Sequence, residues 1–391
     1  MSTTISNAAA SQAARGRVLE AEAARAAQPV VYWAVLGMMI MAFWAWIMFR
    51  WVTGPYFTPT LPGPTPQPEW QGPAQVAFQA IMGVAIVVAG YKLLLKPWLR
   101  EKRMTTDGAM FIAFFTMFFQ DQITMMGGGY WFTYNAHVFN MGSWFPEIPG
   151  WATFAQPGQT PGEPILMMGP GYAYFFLAMT FLGMAIMRRF RERWPTLSTP
   201  VLFFAVFVAC ALLDMVIEVG FWIPLGFYSY TYGGVLPMIH KGTIQQFPMI
   251  EALGTGWLST SIVALRYYTD DKGQTLVERG LDKVVASPGR KAVLRMFAMI
   301  AAIQLIFFFI YNVPMYPLGE FSKDWPKAIQ ERSYLMNNIC GTGTDRMCAT
   351  SDTPIAVNSA KAISVTPDGR LKIPADAEAQ QPVPFLIQLP K

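Results

Sequence analysis

Seven stretches of this chain run for about 20 residues with few charges, the length needed to cross the hydrocarbon of a bilayer. They are approximately Val31–Val52, Val76–Leu95, Gly108–Met126, Gly171–Met187, Val201–Pro224, Phe247–Leu265 and Val293–Val313. The third and sixth are weaker, because polar residues interrupt them. Composition agrees: 53% of the 391 residues are hydrophobic and 14% charged, too lopsided for one core inside a charged, water-soluble shell. The same figures exclude disorder for most of the chain. The expected architecture is an all-α integral membrane protein, a bundle of about seven transmembrane helices. No Ala-x-Ala-like cleavage site follows the first run, so it reads as a retained anchor.

The basic residues sort by side. The N-terminal tail holds three Lys or Arg, the second-to-third connection five, the fourth-to-fifth four and the sixth-to-seventh seven. The three intervening connections hold only Lys241, with Arg50 at the end of the first run. This alternation predicts a cytoplasmic N-terminus and an outside C-terminus. The net charge of +5 is then a topology signal. Clusters such as Arg188–Arg193 read as juxtamembrane charge, and no nucleic-acid partner is expected.

Against that apolar background, four acids inside the runs need a reason, each costing about 2.5–3.5 kcal/mol to insert. They are Asp121, Asp214, Glu218 and Glu251. Asp214 and Glu218 are four apart and share one helix face. Spans three and five run outward, and each reaches its aspartate after roughly 13 residues, about 20 Å in. Glu218 lies further out, and Glu251 opens the inward-running sixth span. All four are predicted at the outer half of the membrane. Gln120 and Gln122 flank Asp121, Gln245 and Gln246 precede span six, and Asn312 ends span seven. These groups read either as polar glue between helices or as one pocket. Carboxylates clustered at low dielectric cannot all ionise, which leaves protonated acids beside ionised ones. That suits general acid/base work on an apolar substrate, or a proton-linked transporter.

The outward connections are rich in Pro, Gly and aromatics. Residues 54–68 carry too many prolines for a helix and should form an extended loop. Residues 127–170 contain no Lys or Arg but hold Trp131, Tyr134, Trp144, Phe145, Trp151 and Phe154, with Asn135, His137 and Asn140 among them. They read as an interfacial aromatic belt or as a lid over the bundle. His137 is a candidate proton shuttle in the second reading.

After Pro314 the composition turns polar, dividing the chain into a tail of residues 1–30, a membrane domain of 31–315 and a polar, partly mobile tail of 316–391. Within that tail, Ala362–Ile373 reads as strand, Pro-Asp-Gly turn, strand. Cys340 and Cys348 are expected to pair in an oxidising compartment, and mid-span Cys210 to be a packing residue. Two histidines cannot build a histidine-rich di-iron site; neither metal nor cofactor is expected.

Several strings resemble the AveC-type spirocyclases, membrane spiroketal cyclase/dehydratases of avermectin biosynthesis and their actinobacterial relatives. They are Arg50-Trp-Val-Thr-Gly-Pro-Tyr-Phe-Thr-Pro59, Phe119-Gln-Asp-Gln122, Trp131-Phe-Thr-Tyr-Asn-Ala-His137, Gly142-Ser-Trp-Phe-Pro146 and Ile148-Pro-Gly-Trp151. Leu225-Gly-Phe-Tyr-Ser-Tyr230, Gln246-Phe-Pro-Met-Ile-Glu251, Leu265-Arg-Tyr-Tyr-Thr-Asp-Asp-Lys-Gly273 and Tyr311-Asn-Val-Pro314 continue the similarity, which spans about residues 30–315. The resemblance implies a multi-pass enzyme of the bacterial cytoplasmic membrane, acting in polyketide secondary metabolism as a lyase or isomerase. The expected activity is spiroketal-type cyclisation or dehydration of a lipophilic polyketide or lipid. Asp121, Asp214, Glu218 and Glu251 are its expected acids and bases. Trp131, Tyr134, Asn135, His137, Gln120, Gln122, Gln246, Tyr228 and Asn312 are expected to bind substrate. The alternatives are a proton-linked transporter and a subunit that presents a lipid to another enzyme.

Overall fold

The computed structural model describes residues 28–126, 131–149, 157–234, 236–320 and 325–337, with the pairs 364–365 and 371–372. The fold is mostly helical. Helix α1 is Pro29–Thr53 and α2 is Gln71–Gly90, which continues through a π turn to Glu101. Helix α3 is Thr106–Met117, followed by a 3-10 turn and the short helix Asp121–Met126. Then come α4 (Ile165–Arg193), α5 (Thr199–Ile217 with a π turn Glu218–Trp222) and α6 (Met249–Tyr267). Helix α7 is Pro288–Ile306, extended by a π turn Phe307–Asn312 and by Val313–Glu320.

Five of these, α1, α2, α4, α5 and α7, are long and apolar enough to cross a membrane. The two that fall short are α3 and α6, the runs weakened by polar residues in the sequence. Their surroundings explain why: most of α3 from Thr106 to Met117 is buried, as are ten residues of α6 including Glu251, Thr255, Ser259 and Thr260. A helix largely buried against others is not selected for apolarity all round, and polar groups such as Glu251, Thr255 and Thr260 find protein partners. Helix α2 is the opposite case. Val76, Val84 and Val87 are each about two-thirds exposed or more, and the helix packs chiefly on α4.

Successive helices run in opposite directions. At one end, Arg266 of α6 pairs with Asp107 of α3 (2.6 Å), Arg295 of α7 with Glu278 (2.7 Å), and the first turn of α1 bonds to Arg279 O. At the other end the loops knit into a cap. Strand β1 (Phe132–Tyr134) pairs antiparallel with β4 (Tyr228–Tyr230), with Thr133 opposite Ser229. Strand β2 (Met141–Gly142) pairs with β3 (Gly162–Glu163), and β5 (Met238–Ile239) with β6 (Phe247–Pro248). Close helix contacts depend on small residues: a Cβ on Gly37 of α1 would fall 1.9 Å from the Phe297 carbonyl of α7.

Trp131, Tyr134, Trp144 and Phe145 are among the largest fully buried side chains, so the described part of the aromatic connection is a packed lid. Trp151 and Phe154 lie outside the described residues. The Pro-rich loop joins this cap through Thr60, whose N–H donates to Asn140 Oδ1 at 2.9 Å. Arg50 at the end of α1 reaches Glu147 in the lid at 2.8 Å.

Residues 325–337, placed in the polar tail by composition, also belong to the packing of the cap. Trp325, Ile329, Tyr334, Leu335 and Met336 are buried. The Ala136 N–H donates to Tyr334 O (2.8 Å), and Ser333 Oγ donates to Pro62 O (2.7 Å). The expected hairpin is present as Ser364–Val365 paired with Leu371–Lys372. Cys340 and Cys348 lie outside the described residues, whereas Cys210 is a free thiol buried in α5.

Candidate functional site

The regular helices of this bundle break where its acids are. Asp121 starts the short helix that follows the 3-10 turn of α3, and Glu218 is the first residue of the π turn that ends α5. Asp214 sits one turn earlier on the same face, and Glu251 occupies the first turn of α6. The π turn of α7 contributes Phe307 and Tyr311, and Pro170 removes an N–H from α4 just before Tyr172. Helical breaks of this kind are frequent at functional positions, because they re-aim side chains.

All four predicted carboxylates line one cavity. Its walls come from α3–α7 and from strands β1 and β4 of the cap. Met167, Phe175, Phe176, Trp222, Leu258 and Phe307 make it largely apolar. Ligand sites are mostly apolar with a few placed polar groups. This cavity has that character.

Three of the acids receive multiple hydrogen bonds. Asp121 accepts from Tyr134 Oη (2.7 Å) and from Tyr172 Oη (2.5 Å). Glu218 accepts from Tyr228 Oη at short range and from Tyr230 Oη at 3.4 Å. Glu251 accepts from Trp131 Nε1 (3.0 Å), from Tyr311 Oη and from Thr255 Oγ1 (3.3 Å). The fourth has fewer: Asp214 has a side-chain hydrogen bond from Thr255, and its Oδ2 is buried with no hydrogen-bond partner. The hydroxyl of Tyr174, on the same cavity, is likewise buried without one.

Beyond the cavity wall lies a fifth acid. Glu163 of β3 is fully buried, beside Asp121. Its carboxyl is pushed well above the usual range, first by burial and then by the charge of Asp121. Nothing marked it in the sequence, where an acid in Thr-Pro-Gly-Glu-Pro looks like a solvated loop residue.

Of the expected substrate-binding residues, Tyr134 and Tyr228 line the cavity, and Trp131 holds Glu251. The others are turned elsewhere. Asn135 bonds to Gln67 Oε1 and Gly226 O, and Gln246 to the carbonyls of Tyr230 and Tyr232; both close loops. Gln122 bonds to Glu163. Gln120 and Asn312 belong to a separate amide cluster with Gln304. His137 is exposed on the cap with its ring beside Tyr334, away from the residues that line the cavity, so it is not placed as a proton shuttle. The residues that sequence reasoning missed are mainly tyrosines: Tyr172, Tyr174, Tyr230 and Tyr311. Their signal was present as phenols in or beside apolar runs, each of which needs a partner when buried.

The fold and site define a helical bundle around a buried, aromatic cavity furnished with carboxylic acids. The model of the family described as spirocyclase AveC-like matches residues 101–335, more than half of the chain, and the chain belongs to that family. The match leaves out α1, α2 and the Arg50–Pro59 string, and it reaches past residue 315 through most of the cap segment 325–337. No curated protein and no solved structure matches the chain.

Proposed function

We propose that this chain is a membrane-embedded enzyme that cyclises or dehydrates a lipophilic polyketide or lipid by acid/base catalysis inside the carboxylate cavity. The observation that carries the reading is the unequal hydrogen bonding of its four acids. Asp121, Glu218 and Glu251 each receive at least two donors, which suit a carboxylate, whereas Asp214 receives Thr255 and its Oδ2 receives none. Asp214 is therefore assigned as the acid. Its proton goes to the departing hydroxyl of a hemiketal or alcohol, which leaves as water and generates an oxocarbenium ion or alkene precursor. Glu218 and Glu251 oppose the developing positive charge, and Asp121 takes the proton of the attacking hydroxyl as the new C–O bond forms. The apolar wall keeps water from the cation and holds the chain folded for closure.

In this reading α3 and α6 cross the bilayer as interior spans, bringing the count to seven, with the basic end cytoplasmic and the cap outside. The alternating helix directions and the shortage of Lys and Arg in the cap loops support it. The test is a comparison of lipid extracts by mass spectrometry between a strain lacking the protein and the same strain complemented with wild-type chain. A species heavier by one water that accumulates without the protein is expected for dehydrative chemistry. An unmodified compound held on one side of the membrane would point to transport and overturn the proposal.

A further inference from the structure

Glu163 is not a cavity residue, yet its surroundings constrain its proton. The Phe145 N–H donates to Ser143 Oγ at 3.1 Å, which commits that hydroxyl's own hydrogen elsewhere. It goes to Gln122 Oε1. The amide of Gln122 is thereby oriented, and its Nε2 donates to Glu163 Oε2. Glu163 Oε1 remains, buried and reached by no N–H or hydroxyl donor. The neighbouring acid is Asp121, whose carboxyl interacts with that of Glu163. Two carboxyl oxygens face one another favourably only with a proton between them.

Which acid owns that proton follows from the other side of the pair. Asp121 already accepts two phenol hydroxyls, one on each oxygen. Glu163 accepts a single amide. The better-solvated carboxylate is Asp121, and the proton belongs to Glu163.

We propose that Glu163 is a positioning residue for Asp121: a neutral carboxylic acid whose Oε2 is committed as an acceptor by Gln122, itself oriented by Ser143, and which donates its proton from the other oxygen to the Asp121 carboxylate on the cavity wall. It touches no substrate. It holds Asp121 ionised and fixes the plane of its carboxylate against the tyrosines, using strand pairing of β3 with β2 as the rigid support. The proposal rests on the reading of Asp121 as the anionic partner in the cavity.

The identity of Glu163 as a neutral donor makes an asymmetric prediction. Glu163→Gln keeps both hydrogen bonds, because its amide N–H donates to Asp121 and its carbonyl accepts from Gln122. Asp121→Asn puts a second donor group opposite the Glu163 proton and removes the anion. Full-length variants are expressed in the strain lacking the protein, and conversion is read from the lipid extract. Each is also purified in detergent for a melting curve and an infrared spectrum at neutral pH. E163Q is expected to retain conversion within about threefold, while D121N loses about a hundredfold or more. One protonated-acid carbonyl stretch, distinct from that of Asp214 in being unaffected by D214N, is lost from E163Q and kept in D121N.

A folded E163Q as inactive as D121N would overturn the proposal, since Glu163 would then be needed ionised. So would an acid band that vanishes in D121N and survives in E163Q. Full conversion by D121N would instead sink the acid/base reading of the cavity, and the infrared comparison would still decide where the proton resides. E163A separates support from charge: lost conversion there, restored in E163Q, is the expected rescue.

Discussion

Two polar clusters are buried in this bundle, and they are built on opposite principles. In the first, Gln304 of α7 accepts from Gln120 Nε2 (2.6 Å) and Trp44 Nε1 (3.2 Å) and donates to Thr116 O (2.6 Å) and Thr116 Oγ1 (3.0 Å). Asn312 completes it with a 2.9 Å bond to Gln120 Oε1. Every polar atom of the Gln304 side chain is used, and the cluster ties α1, α3 and α7 together. In the second, four carboxylates and their tyrosines surround space, and Asp214 Oδ2 and Tyr174 Oη have no partner. Satisfied polar groups fasten helices; unsatisfied ones facing a cavity store interaction for something that enters it. Structure is carried by the first cluster and chemistry by the second.

The largest effect that separates them is expected at Asp214. Replacing it by Asn should lower conversion by about 10²–10⁴-fold, the range for a general acid. The melting temperature should hold or rise, because an unpaired buried carboxyl is removed. A folded D214N that retains wild-type conversion would take the acid role from Asp214. Gln304→Leu tests the other cluster. It leaves Trp44 Nε1 without its acceptor, at about 1–3 kcal/mol for the orphaned group, and Gln120 Nε2 with the residue-304 backbone carbonyl alone. Thermal unfolding in detergent should register that loss, while conversion per folded molecule stays unchanged. Impaired conversion in a stable Q304L would erase the division between the clusters.

The sequence carried the acid cluster well and the amide cluster poorly, for a physical reason. A carboxylate in an apolar run is expensive wherever it points, so Asp121, Asp214, Glu218 and Glu251 announced themselves, and they do share one cavity. Amides cost less and serve equally as glue or as ligands. Gln120, Gln246 and Asn312 therefore looked like site residues and proved to bond helices and loops. Gln304, the centre of its cluster, drew no notice. Tyrosine is ambiguous in the same way, since its ring belongs in a membrane and only its hydroxyl asks for a partner. Glu163 was illegible because burial by a lid depends on how distant loops pack. The five strongly apolar helices were legible; the polar interruptions of α3 and α6 record how much of each is buried against other elements, α6 keeping an exposed stripe at Leu253 and Trp257.

A smaller effect concerns pH. Glu163 binds its proton more tightly folded than its ordinary value of 4.5. Below that value both states are protonated and the group contributes nothing. Above it the unfolded chain releases the proton while the folded chain keeps it. The folded state then binds more protons, and stability falls as pH rises, by up to about 1.4 kcal/mol per unit until the folded acid ionises. E163Q lacks this term. Its stability relative to wild type should climb from acidic to neutral pH, with melting curves on both proteins as the check. Parallel curves would show that the proton is not retained on folding.

The smallest effect is expected at Tyr174. Its hydroxyl is buried on the cavity without a protein partner, and Phe78 of α2 packs edge-on against its ring at 6.5 Å between centroids. Tyr174→Phe removes an oxygen that bonds no protein group, so the melting temperature should not fall. A neutral hydrogen bond to a bound ligand is worth about 0.5–1.5 kcal/mol, or roughly two- to tenfold in affinity. Conversion should therefore drop within that range at limiting substrate and recover when substrate is raised. If Y174F lowers stability instead, Tyr174 belongs with the fastening groups, and among the described residues Asp214 would be left as the single unsatisfied group on the cavity.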